Sequence, residues 1–152
     1  GVLVAALAPA GKPFVQRDAH RYAALDTLVL LCGRFEGIDE RALRAVDERI
    51  SVGDFILTGG EIPAMAVADA TLRLLPGVLK EGSAEEESFE TGFLEYPQYT
   101  QPAELFGQSV PEVLRSGDHE KVEAWRREEA YLTTLRFRPD LLEKIDQDVK
   151  KR

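Results

Sequence analysis

Apolar runs alternate with amphipathic segments through the first half of the chain. Residues 2–7 are a continuous apolar run, which is typical of a strand buried on both faces of a sheet. The Ala-Pro-Ala-Gly run at residues 8–11 predicts a loop. Two further apolar runs follow, separated by segments with helical spacing or a capping residue, Asp39. We predict strands at residues 2–7, 27–32 and 55–57, with helices at residues 16–25 and 39–48 between them.

A third helix is predicted to begin near Pro63 and to end at the Pro76-Gly77 pair. Its predicted inner face consists of Met65, Ala68, Leu72 and Leu75. Strands joined by helices indicate an α/β domain with a mostly parallel sheet. Because a sheet of three strands is thin, we expect more strands from a missing segment or from a partner chain.

The pattern changes near Lys80, where a polar, acidic stretch predicts a linker or mobile loop. The rest of the chain has helical periodicity. We predict a short helix at residues 111–116, a longer one at residues 118–135 and a last one that begins at residues 138–140. Their candidate buried residues are Val122, Trp125, Tyr131, Leu141, Leu142 and Ile145.

Composition narrows the function classes. The chain has 152 residues, of which 44% are hydrophobic, and a formal net charge of −8. That charge argues against broad, nonspecific binding of nucleic acid, although a few local basic residues can still hold an RNA. The single cysteine, Cys32, rules out an internal disulfide and fits a reducing compartment. With neither a secretory signal nor an apolar run long enough to span a membrane, we expect a cytoplasmic protein.

Two glycine-punctuated runs follow predicted strands, at residues 31–41 and at residues 51–65. Turns of this kind bring backbone N–H groups close to a ligand at the carboxyl end of a parallel sheet. They predict one small-molecule site built mainly from backbone.

Five motifs give the chain a family resemblance. They are Gly33 to Arg41, Ser51 to Glu61, Leu75 to Leu79, Tyr96 to Thr100 and the pair Trp125-Arg126. In this order they resemble bacterial tRNA (guanine-N1)-methyltransferases of the SPOUT class. The resemblance implies a trefoil-knotted α/β domain with helices on both faces of the sheet, at residues 1–79. It also implies a linker at residues 80–94, a helical C-terminal domain at residues 95–152, and a homodimer.

The resemblance implies a function as well. Members of the family transfer a methyl group from S-adenosylmethionine to N1 of the guanosine 3′ of the anticodon in tRNA, and they are reported to use magnesium. Most members carry a longer N-terminal segment, which helps to hold the target base. Since that segment is absent here, we expect a truncated chain. The sequence offers no carboxylate or histidine cluster that would fix a metal ion.

The candidate cofactor residues lie at the predicted strand ends. Backbone groups there can hold adenine and ribose, while two glycines allow close approach. Glu36 is assigned by resemblance to the amino-acid end of the methyl donor. The full set is Leu7, Ala8, Pro9, Gly33, Glu36, Ser51, Val52, Gly53, Asp54, Phe55, Ile56, Leu57, Gly59, Gly60 and Pro63.

Two residues are candidates for catalysis. The family places an aspartate base just before a Ser-Phe pair, and here Glu87 precedes Ser88-Phe89. The alternatives for this acidic stretch are Glu86 as the base, or a solvated linker without a catalytic role. Arg73 matches an arginine that supports the target base in the family, and its alternative is an ion pair with Asp69 along the helix.

A second function remains open at this point. A truncated chain could bind S-adenosylmethionine or RNA, and dimerise, without transferring a methyl group. A dinucleotide-binding domain is a distant third, because no Gly-x-Gly-x-x-Gly turn follows a predicted strand.

Overall fold

The computed structural model describes residues 1–80 and 82–150, with side chains through residue 145. Contacts divide the chain into two compact units, Gly1–Glu81 and Gly82–Arg152. The predicted domains at residues 1–79 and 95–152 and the predicted linker at residues 80–94 remain expectations. We expect the basic tail at residues 150–152 to be disordered; Lys150 belongs to a helix, and residues 151–152 lie outside the described residues.

A three-stranded parallel sheet forms the centre of the first unit. Its strands are β1 (Val2–Pro13), β2 (Thr27–Cys32) and β3 (Glu48–Ser51), in the order β2-β1-β3. The middle strand carries the buried residues Ala5, Ala6 and Leu7. This confirms the mixed α/β class with a mostly parallel sheet. The predicted third strand is wrong, because residues 55–57 form no strand and β3 lies before them.

Strand β1 is longer than predicted, since it continues through the predicted loop at residues 8–11. The pairing with β3 is nevertheless broken there, because Leu7 and Lys12 both lie opposite Ile50. The intervening residues leave the ladder as a bulge. At its base, a Cβ on Gly11 would lie 2.4 Å from the backbone carbon of Ile50. Only glycine fits this crossing of two strands.

Three helices connect and cover the strands: α1 (Gln16–Ala23), α2 (Glu40–Leu43) and α3 (Glu61–Leu72). The Asp39 carboxylate caps α2 by accepting a hydrogen bond from the Arg41 backbone N–H at 2.8 Å, as predicted. The predicted length of this helix is wrong, because residue 48 already belongs to β3.

The predicted inner face of α3 is wrong at Met65 and Leu72, whereas Ala68 and Leu75 are partly buried. Met65 is 70% exposed and Leu72 is 53% exposed, whereas Pro63, Val67 and Thr71 are buried. These three positions recur every four residues and so share one face of the helix. The core of the unit comprises Ala5, Leu7, Tyr22, Ile50 and Val67.

Asp18 is a buried carboxylate on α1, with its side chain 4% exposed. It accepts hydrogen bonds from Lys12 Nζ at 2.6 Å and from the Val15 N–H at 3.2 Å. Burial alone raises the pKa of Asp18, but these hydrogen bonds and the positive charges outweigh it, so the net pKa lies below the ordinary value.

A carboxyl whose pKa is lower in the folded state stabilises the fold above its ordinary pKa, and this contribution disappears as the pH falls. We therefore expect Asp18→Asn to lower the free energy of unfolding at pH 7 by roughly 1–2 kcal/mol. We also expect it to flatten the loss of stability below about pH 4. Denaturant titrations between pH 3 and pH 7 check this. An unchanged acid slope in the variant would contradict it.

The second unit is mainly helical. It contains α4 (Glu112–Arg115), α5 (His119–Phe137) and α6 (Pro139–Lys150), close to the predicted bounds. A short hairpin, β4 (Glu104–Leu105) with β5 (Gln108–Ser109), was not predicted. Val122, Trp125, Leu141, Leu142 and Ile145 are partly buried. Tyr131 is 49% exposed, against the prediction, and Thr134 is the buried residue of α5.

Residues 82–90 are a chain of turns within the second unit. The Glu87 N–H donates to the Ala84 carbonyl at 3.3 Å, and the Glu90 N–H donates to the Glu87 carbonyl at 3.2 Å. Within the described part of the chain, no helix is long and apolar enough to cross a membrane.

Candidate functional site

The first unit has a cavity of about 270 Å³ beside the carboxyl ends of β2 and β3 and the middle of β1. Its walls are residues 7–9 of β1, where the pairing with β3 is broken, the loop that follows β2 and the loop that joins β3 to α3. In parallel sheets these ends meet at one edge, where backbone N–H and C=O groups are not used by the ladder. Most of the lining residues are apolar or glycine, so the polar groups available to a ligand are mainly peptide groups.

The loop after β2 folds back on itself. The Gly37 N–H donates to the Arg34 carbonyl at 3.0 Å, and this closes a tight turn around Phe35 and Glu36. Phe35 adopts a φ of 55°, a region that non-glycine residues rarely occupy, and it is 98% exposed. The turn holds the exposed carboxylate of Glu36 in the cavity wall.

The loop after β3 crosses the end of β2 closely. The Gly60 N–H donates to the Gly33 carbonyl at 2.9 Å. A Cβ on Gly60 would lie 2.8 Å from the Cα of Cys32 and 3.1 Å from the Gly33 nitrogen. The two loops are therefore joined backbone to backbone, with no space for a side chain between them.

An ion pair also links the two loops. Arg34 Nε donates to Glu61 Oε1 at 2.7 Å, and Arg34 pairs as an isolated bridge with Gly59. The hydrogen bond from Arg34 keeps the pKa of the Glu61 carboxyl below its usual range. Since both side chains are largely exposed, the pair orients the loops more than it stabilises them.

The cavity brings together fourteen of the fifteen predicted cofactor residues. Only Asp54 is not part of its wall, although both of its neighbours are. Their role in binding remains a prediction. The wall also includes residues that the sequence did not single out, namely Arg34, Phe35, Gly37, Ile38, Leu43, Ile50 and Thr58. All except Leu43 and Ile50 belong to the two glycine-punctuated runs, so the runs as a whole were the available signal.

The two predicted catalytic residues belong to different units. Arg73 follows the last residue of α3 and is partly buried. Glu87 lies in the turns that begin the second unit and is also partly buried. Its rival Glu86 is held within that unit, because its carboxylate accepts a hydrogen bond from Tyr96 Oη at 3.0 Å.

Cys32 is exposed at the end of β2. Partial burial and the nearby Glu61 carboxylate both raise the pKa of this thiol. Among residues 1–80 and 82–150, no three His, Cys, Asp or Glu side chains are grouped so that they could hold a metal ion. The magnesium that the resemblance implies therefore has no such cluster among the described residues, and it stays a prediction.

Comparisons with known proteins agree with one another. The model of the family described as tRNA (Guanine-1)-methyltransferase TrmD matches residues 2–144. A tRNA (guanine-N(1)-)-methyltransferase of Desulforudis audaxviator is 57% identical over 144 residues, which are 94% of this chain and 58% of that protein. The enzyme of the same name from Mycoplasma mobile is 49% identical over 91% of this chain and 71% of its own length. That from Thermotoga maritima is 54% identical over 88% of this chain, which spans 54% of its length.

Proposed function

Since the chain belongs to the tRNA (guanine-1)-methyltransferase family, we propose that it transfers a methyl group from S-adenosylmethionine to N1 of the guanosine 3′ of the anticodon in tRNA. The observation that carries this proposal is the cavity at the strand ends, whose wall contains fourteen of the fifteen residues expected to bind the methyl donor. The chain spans little more than half the length of most of the relatives that it matches. The activity of the whole protein is therefore inferred for this chain.

The proposed binding of the methyl donor uses main-chain groups. Adenine and ribose lie between Leu7 to Pro9, in the middle of β1, and the loop at Val52 to Leu57. The glycines at 33, 59 and 60 let the backbone approach the ligand. Glu36 faces the amino-acid end, where its carboxylate complements the donor's ammonium group. This arrangement fixes the sulfonium methyl group in one position, and in-line transfer depends mainly on such positioning.

The proposed chemistry requires removal of a proton from the guanine. N1 of guanine bears a hydrogen that leaves as the methyl carbon bonds to the nitrogen and the carbon–sulfur bond breaks. We assign Glu87 as the general base that accepts this proton. Arg73 is assigned to guanine O6, where negative charge develops as N1 loses its proton. The target base has to leave its stack, which is easiest for a nucleotide in a loop.

Two features of the family are proposed for the first unit. A trefoil knot is supported by the close crossing of the loops after β2 and β3, which are joined between Gly33 and Gly60 and between Arg34 and Gly59. A homodimer is supported by large apolar side chains that stay exposed around the cavity and on α3. They include Phe35, Phe55, Ile56, Ile62 and Met65, which are between 57% and 98% exposed.

Two measurements on the 152-residue chain test the function. We expect calorimetry to show binding of S-adenosylmethionine, and a labelled-methyl assay to show transfer to tRNA transcripts with guanosine 3′ of the anticodon. Transcripts with adenosine at that position are the control and should stay unlabelled. Binding without transfer to any transcript would support the alternative, a module that binds without catalysis. Absence of both binding and transfer would refute the proposed function and would leave only RNA binding for the alternative.

A further inference from the structure

The turn that carries Glu87 is attached to the body of the second unit on both sides of that residue. On one side, the Glu86 carboxylate accepts a hydrogen bond from the Tyr96 hydroxyl at 3.0 Å. On the other side, the Ser88 hydroxyl accepts a hydrogen bond from the Glu95 N–H at 2.9 Å. A residue between two such attachments has little freedom to move, although it belongs to a segment of turns.

The attachment at Glu86 continues into helix α5. The Arg126 guanidinium stacks over the Tyr96 ring, with its central carbon 4.9 Å from the ring centre. Arg126 Nη1 lies 3.9 Å from Glu86 Oε2 and 2.9 Å from Glu123 Oε1. Burial and the Glu86 carboxylate raise the pKa of Tyr96, so its hydroxyl remains protonated and donates at neutral pH. We call Glu86, Tyr96, Arg126 and Glu123 the Glu86 clamp.

The clamp is not an arrangement that maximises the stability of the unit. Arg126 Nε is buried and has no acceptor among the described residues. A buried donor without a partner lowers stability, and apolar side chains of similar size often serve a purely structural role better. Buried polar groups of this kind are expected at functional sites, where the exact position of a side chain matters more than the stability of the fold.

We propose that the Glu86 clamp positions the neighbouring carboxylate of Glu87 for proton removal, with Glu86, Tyr96 and Arg126 as positioning residues. The inference rests on the proposed function, because it takes Glu87 as the base. It also reassigns Glu86, which the sequence left as the rival base. A displacement of about 1 Å at a reacting group can lower a rate about a hundredfold, so a device that fixes this turn affects kcat.

Substitutions at Glu86 distinguish a positioning residue from a base. Glutamine keeps an oxygen that accepts the Tyr96 hydroxyl but cannot accept a proton from guanine. We therefore expect Glu86→Gln to keep kcat within about threefold and Glu86→Ala to lower it about tenfold. Loss of transfer in both variants would identify Glu86 as the base and overturn the inference.

The partner of Glu86 gives a matched pair of variants. Tyr96→Phe removes only the hydroxyl of the clamp, whereas Tyr99→Phe removes the hydroxyl of a tyrosine that contacts Trp125 outside it. We expect Tyr96→Phe to lower kcat about tenfold with an unchanged KM for S-adenosylmethionine. Tyr99→Phe should change neither. Equal kcat values for these two variants would overturn the inference.

Hydrogen exchange provides a readout that does not depend on activity. We expect the amides of Glu87 and Glu90 to exchange at least fivefold faster in Tyr96→Phe than in Tyr99→Phe, with melting temperatures within a few degrees of each other. Unchanged exchange would overturn the inference even in an inactive chain. If the parent chain transfers no methyl group at all, the proposed function is refuted, and the catalytic role of the clamp is refuted as well. Faster exchange would then still establish the attachment of the turn.

Discussion

Replacing Glu87 by glutamine is expected to lower kcat for methyl transfer by about 10²–10⁴-fold, the range in which a positioned general base acts. The amide keeps the size of the side chain and its hydrogen-bonding oxygen, but it cannot accept the N1 proton of guanine. Affinity for S-adenosylmethionine should not change, because Glu87 is not among the residues that line the proposed cofactor site. Single-turnover transfer to a tRNA transcript, together with calorimetry of the methyl donor, measures the two quantities separately.

Glu85→Gln is the matched control for this experiment. Glu85 belongs to the same acidic triplet but is exposed, whereas Glu87 is partly buried. We expect the control to retain the rate of the parent chain. If Glu87→Gln were as active as Glu85→Gln, the triplet would be a solvated acidic segment and the base would have to be sought elsewhere.

Replacing Gly60 by alanine is expected to weaken binding of S-adenosylmethionine by at least about a hundredfold. The added methyl group meets the backbone of Cys32 and Gly33, at 2.8 Å and 3.1 Å, rather than a side chain that can turn aside. The end of β2 and the start of α3 must therefore separate, and the hydrogen bond from Gly60 to Gly33 is lost. Both changes alter the cavity wall, where shifts of an ångström can have large effects. Calorimetry with the methyl donor measures the loss.

The adjacent glycine gives the matched control. A Cβ on Gly59 would meet the carboxylate of Glu61 at 2.3 Å and the Arg34 Cγ at 3.2 Å. Both are parts of long, exposed side chains that can rotate away. Gly59 also lines the cavity, but because these side chains can move we expect Gly59→Ala to weaken binding less than Gly60→Ala does. Equal losses in the two variants would mean that the contact between the loops does not shape the binding site.

The sequence predicts those elements whose pattern depends on burial alone. Strand β2 was predicted with its observed bounds, because a continuous apolar run ends there at a glycine. Strand β3 was missed because its sequence, Glu-Arg-Ile-Ser, contains one apolar residue, and pairing with β1 rather than hydrophobicity makes it a strand. Residues 55–57 look like a strand because they are apolar, yet they belong to the wall of the cavity and are at least 39% exposed.

The buried face of helix α3 could not be predicted from the spacing of its apolar residues. Apolar residues occur on all sides of it, so periodicity does not choose a face. The sheet selects Pro63, Val67 and Thr71, and it leaves Met65 and Leu72 exposed. Residue spacing is informative about a helix face only when the opposite face is polar.

The sequence predicts those parts of the candidate site in which the backbone conformation requires a particular residue type. Glycines at strand ends identify both loops of the cavity, because they are needed for close approach. The ion pair between Arg34 and Glu61 joins residues 27 positions apart, and the Glu86 clamp joins residues 10 and 40 positions apart. Nothing local in the sequence signals such contacts, since the fold alone determines them.

The polar groups in the cavity wall are mainly peptide groups, and this determines which substitutions could weaken the binding of an inhibitor. An inhibitor that bonds to the peptide groups of these loops uses contacts that most point mutations leave in place, because every residue type other than proline presents the same N–H and C=O. Gly60 is different, because any side chain there would meet the backbone of Cys32 and Gly33 and so alter the wall for every ligand of the cavity.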